Sequence, residues 1–118
     1  MQIVPTTIRD HIKSISKEIG SEELLPERAA ELLVSAASLF GNVLEEIRKR
    51  ESDYNKVLLI AYDTEQVANR ARIKAVNDPS YLLLREAQDA KVLTLEIIRA
   101  LKYYLKAKSD EYQVSKYQ

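Results

Sequence analysis

Arg70, Arg72 and Lys74 occupy alternate positions in the stretch YDTEQVANRARIKAV, Tyr62 to Val76. Cations gathered this closely among small residues suit a polyanion, because a planar guanidinium pairs bidentately with phosphate and also stacks on bases. On a helix, Arg70 and Lys74 are four residues apart and share a face, while Arg72 projects from another. If both faces contribute, they do so at a subunit or loop boundary, where two sides of a helix can meet one strand. The carboxylates Glu51, Asp53, Asp63 and Glu65 lie close by in sequence. The competing reading of the same cations is an ordinary solvated helix face.

A second constellation is Lys102, Tyr103, Tyr104, Lys106 and Lys108, followed by Tyr112, Lys116 and Tyr117. Rings interleaved with ammonium groups can grip a single strand, bases stacking on the rings while the cations follow the phosphates. Tyr104 falls on the expected core stripe, which leaves Tyr103 as the stacking candidate. The alternative here is an amphipathic helix whose lysines snorkel around its apolar face.

Catalytic chemistry has little to work with. His11 is the single histidine, with no second His and no E-x-x-H pair for a bundled metal. Ser35 and Ser38 have no evident base, and no glycine-rich loop exists to cradle a phosphate. Glu22, Glu23, Glu45 and Glu46 read as helix-surface charge. No catalytic residue, metal ligand or cofactor is expected.

The chain has 118 residues, 46% hydrophobic and 31% charged, a profile that fits one helical domain and not a disordered chain. Two glycines and three prolines leave few breaks, so long helices must take up most of the length. The absence of Cys removes disulfides and thiolate sites and is consistent with a reducing cytosol. No apolar run approaches the roughly 18 residues of a membrane span, and MQIVPTTIRDHIK lacks a signal-peptide core. The expected setting is cytoplasmic, without a membrane partner. The zero net charge hides a gradient: residues 66–118 hold ten Lys/Arg against six Asp/Glu, and residues 51–65 hold one against four. Phosphate binding responds to the local field and not to the sum.

The spacing of Ile8, Ile12, Ile15 and Ile19 predicts an amphipathic helix within residues 1–20, capped by Thr7 with Asp10 and stopped at Gly20. A helical core follows over residues 26–118. Pro26 opens a helix with a wide apolar face from Ala29 to Ile47, in which Gly41 suggests a close crossing. The charged run Arg48–Asp53 reads as a continuous or gently broken helix. Tyr54 to Val76 reads as a third helix ending near Asn77, and Asp78 with Pro79 starts the last one. In that helix Leu83, Ala87, Ala90, Thr94, Ile97, Leu101 and Tyr104 form one row and Leu95, Ile98, Leu105 and Tyr112 a second. So wide an apolar arc needs cover on more than one side. The expectation is an all-α protein of about four helices with a long C-terminal helical hairpin around Asp78-Pro79, assembled as an oligomeric bundle or ring.

The run Val67-Ala68-Asn69-Arg70-Ala71-Arg72-Ile73 resembles the V-A-x-(K/R)-A-R-(L/I) helical motif of the UvsY family of phage recombination mediators. The Ala/Leu-rich LLVSAASLFGNVL upstream and the terminal TLEIIRALKYYLKAKSDEYQ extend the likeness more loosely across residues 26–118. The resemblance implies a helical homo-oligomeric ring that binds single-stranded DNA. It further implies help in loading a RecA-type recombinase onto strands coated by single-strand-binding protein, in the host cytoplasm if a phage encodes it. Arg70 and Arg72 would then contact DNA. The chain departs from the family where Lys74-Ala75 replaces an acidic and aromatic pair, and in its Ile8–Ile19 stripe. A different class of function stays open: a non-enzymatic adaptor, inhibitor or assembly protein that binds another protein through amphipathic helices.

Overall fold

Thr7 starts the first helix. In the computed structural model, which describes residues 7–116, its hydroxyl accepts from the Asp10 N–H at 3.2 Å. Helix α1 follows over Ile8–Ile19, with Ile12 and Ile15 buried and Ile8 and Ile19 half-buried, so the isoleucine stripe is its inner face. Gly20 caps its end in an ordinary right-handed conformation, donating to the Ser16 carbonyl at 3.1 Å.

Helix α2 spans Pro26–Thr64, beginning on its proline, whose missing N–H has no helical partner to lose there. It passes unbroken through Arg48–Asp53, where Arg50 pairs with Glu46 at 2.7 Å and with Asp53 at 3.9 Å along the same helix. The expected helix from Tyr54 to Val76 is divided. Residues 54–64 complete α2, residues 65–67 are non-helical, and α3 is the short Ala68–Val76. At the break the Thr64 hydroxyl donates to the carbonyls of Ile60 and Ala61 at 3.0 and 3.2 Å, and Val67 takes an extended conformation. Such back-bonding offers the chain an alternative to continuing the helix.

Asp78 caps the last helix as expected, its carboxylate accepting from the Ser80 N–H at 2.9 Å. Helix α4 runs Pro79–Lys116, so the long C-terminal limb is preceded by nine-residue α3. The fold is all-α with four helices, and no strand occurs among the described residues. No helix among them is long and apolar enough to cross a membrane.

The chain divides into two compact units, one holding the residues up to Gly41 and from Val92 onward, the other Asn42–Lys91. In the first, Ile12, Ile15, Ala29, Leu32, Ala36, Leu39, Ile97 and Leu101 supply the core, with Thr94 the one polar residue buried among the described ones. The Arg28 guanidinium grips the Glu18 carboxylate with two bonds of 2.7 Å, joining α1 to the first turn of α2. Gly41 marks no close crossing: a Cβ there would meet nothing within 4 Å. Tyr112, placed on the second apolar row by its spacing, is exposed, because it lies beyond the last buried position, Leu101.

In the second unit Val43, Ile47, Ala61, Ala71, Ala75, Leu84 and Ala87 are buried. The Tyr54 and Tyr81 rings meet edge-on with centroids 5.3 Å apart. The buried row of α4 begins at Leu84 and not at Leu83, which is exposed. Four-residue steps back from Leu101 fix this register poorly, since Leu82, Leu83 and Leu84 are chemically alike. Tyr117 lies outside the described residues.

Candidate nucleic-acid interface

The basic cluster is carried by α3, and small residues dictate how α3 sits. Ala71 and Ala75, four apart, are fully buried and form a cluster with Ala61, against which Tyr54, Val57 and Leu58 pack. Alanine at both positions lets the short helix lie close to the end of α2 and fixes which way its other faces point. At about 100° per residue, Ile73 occupies the outward face, with Arg70 about 60° to one side of it and Arg72 about 100° to the other. Ile73 is 62% exposed, and Asn69, Arg70, Arg72 and Lys74 are exposed with it. The two arginines therefore straddle an apolar side chain on the solvent side of a pinned helix.

Lys74 differs from the arginines. Its ammonium lies 3.7 Å from the carboxylate of Glu65 in the linker before α3. It also lines a hollow of about 190 Å³ with Val57, Ile60, Ala61 and Asp78. The sequence offered no sign of this pair, because a continuous helix from Tyr54 would have placed Glu65 and Lys74 on separate turns. The one local hint of the break was Thr64 among residues that favour helix.

The second constellation belongs to the other unit. Lys102, Tyr103 and Lys106 are exposed and fall within about 100° of arc on α4. Tyr103 is 78% exposed, whereas half-buried Tyr104 turns inward and donates its hydroxyl to the Leu24 carbonyl. Lys108 is not brought together with the others. It lies 5.7 Å from the centre of the Tyr104 ring and 3.5 Å from the Glu111 carboxylate.

His11 does have a partner that sequence spacing hid. Its Nε2 is 3.1 Å from the Ser35 hydroxyl, so Ser35 has an imidazole beside it after all. Ser35 lies inside α2, however, where backbone N–H groups are committed to the helix and none is left to stabilise an oxyanion. The pair reads as a tie between α1 and α2. No group of three metal-binding side chains occurs among the described residues.

Among the described residues, the two groups whose pKa clearly shifts, Glu18 and Arg28, lie away from both basic clusters. Hydrogen bonding to Arg28, opposed by desolvation and aided by the Arg28 charge, holds the Glu18 carboxyl below the ordinary glutamate range. The same bond raises Arg28.

Comparison of the chain with family models, with curated proteins and with solved structures finds no match. The likeness at Val67–Ile73 therefore rests on the motif alone.

Proposed function

We propose that this protein is a non-catalytic, single-stranded DNA-binding recombination mediator that self-associates. In this reading it helps load a RecA-type recombinase onto strands coated by single-strand-binding protein. The observation that carries the reading is the geometry of α3: Arg70 and Arg72 stand exposed on either side of Ile73, on a helix held down by Ala71 and Ala75. A strand crossing the outer face of α3 would meet a guanidinium on each side, and a base could rest on the isoleucine between them. Lys102, Tyr103 and Lys106 supply a second patch of the same chemistry, a ring for stacking and ammonium groups for phosphate. Each patch is small, and several copies acting on one strand would add by avidity.

Anisotropy of labelled oligo-dT at two salt concentrations tests this, on protein whose mass is fixed by light scattering. The expected result is salt-sensitive binding by an oligomer. Replacing Arg70 and Arg72 by Ala should weaken binding and flatten the slope of log K against log[salt] by about 1.4, at roughly 0.7 per phosphate contact on single strands. Folded double mutant with unchanged affinity removes α3 as the site.

A specific observation favours a second reading. Leu59, Ile60, Ile73 and Leu82 are all about two-thirds exposed in the unit that carries α3. Apolar side chains left in water mark a protein-binding surface, as a helical adaptor or assembly protein would need. Salt separates the two readings, because apolar contacts respond little to the ionic strength that screens phosphate.

A further inference from the structure

Glu65 and Lys74 meet at the edge of the proposed anion site, and their pairing has a consequence for any phosphate that arrives there. Glu65 belongs to the non-helical linker, Lys74 to the flank of α3 that also carries Arg70. Their 3.7 Å contact is open to water, the Lys74 side chain being 61% and the Glu65 side chain 32% exposed. A phosphate can therefore reach the ammonium only in competition with a carboxylate already held beside it. Arg70 and Arg72 make no ion pair among the described residues, so the competition is confined to one of the three cations.

We propose that Glu65 is a built-in competitor at this site, lowering the affinity of α3 for single strands and biasing it toward release. The inference rests on the DNA-binding reading above and adds a residue of opposite sign to it. Exposed ion pairs are weak, so the competitor tunes binding and does not block it. Removing the charge while keeping the side chain's size should free Lys74 for one more phosphate contact.

The test compares wild type with Glu65→Gln in the same oligo-dT titration, across a salt series. Glu65→Gln should bind about two- to fivefold more tightly at low salt, the range set by a weak exposed pair. Its slope of log K against log[salt] should steepen by up to about 0.7, one added contact. Glu45→Gln is the control for net charge: exposed, and about 30 Å from Glu65 along α2 at 1.5 Å per residue. It should leave binding as in wild type. In a Lys74→Ala background the Glu65 change should lose its effect, since the coupling belongs to the pair. Wild-type binding with no response to Glu65→Gln overturns the competitor and leaves the DNA-binding reading standing. An equal gain from Glu45→Gln, or a full gain without Lys74, also overturns it in favour of a general field effect. Absence of binding in wild type and Glu65→Gln alike removes both the competitor and the reading beneath it.

Discussion

The Tyr104 hydroxyl donates a hydrogen bond to the backbone carbonyl of Leu24, 80 positions earlier, in the segment between α1 and α2. Leu24 lies outside any helix, so its carbonyl has no helical partner, and α4 supplies one from a side chain. Tyr104→Phe keeps the ring and deletes the bond, and should cost about 1 kcal/mol of stability. The neighbouring Tyr103→Phe should cost nothing measurable, because Tyr103 is almost wholly in water. Urea midpoints of the two variants check this. Coincident midpoints would mean that the bond contributes nothing in solution.

Gly41 offers the opposite outcome. It sits within α2 in a right-handed conformation, exposed, with open space where a side chain would go. Glycine there carries the backbone-entropy cost of a flexible residue in a helix and gains no close packing in return. Gly41→Ala should stabilise the protein by about 1 kcal/mol. Thermal unfolding should then shift upward by roughly 4 °C for a chain of this size. A fall in Tm would indicate a contact at this surface that the isolated chain does not make, as in an oligomer.

The isoleucine stripe, Thr7, Pro26 and Asp78-Pro79 act through local backbone chemistry or helical period, and each lands where the spacing puts it. A lone glycine such as Gly41 signals either a close approach or nothing, and only its neighbours decide. No Gly or Pro marks the break at residues 65–67, so local pattern does not show it. It is accompanied by the Thr64 hydroxyl bonding back along the helix and by the burial of Ala71 and Ala75, which is tertiary. Of the proposed site, the cations were visible as types and positions. Their directions, Lys74 toward Glu65 and Lys108 toward Tyr104, depend on partners that spacing does not reveal.

Acid should expose the bond between α1 and α2. Arg28 holds the Glu18 carboxyl below its ordinary value of 4.5, so the unfolded chain binds that proton more readily than the folded one. The bond's contribution is thus fully present above the ordinary value and disappears as pH falls through the lowered one. The effect is small, since both side chains stand in water. Stability measured from pH 7 down to pH 3 should decline less steeply in Glu18→Gln than in wild type, with the curves converging at the acid end. Parallel curves would show that the pair does not persist in solution.

The charge of Arg70 and Arg72 can be separated from their placement by a substitution at Ala71. Ala71 lies between them in sequence and is fully buried, so any larger side chain must push α3 away from Tyr54, Val57 and Leu58. Ala71→Leu should cost about 1–3 kcal/mol by overpacking and raise amide exchange across residues 68–76. Both guanidiniums remain, and the net charge is unchanged. If binding depends on cations held astride Ile73, Ala71→Leu should weaken oligo-dT binding while α2 and α4 keep their protection. If charge alone suffices, a loosened α3 will bind as well as a docked one, and the fixed geometry of the site would have no part in recognition.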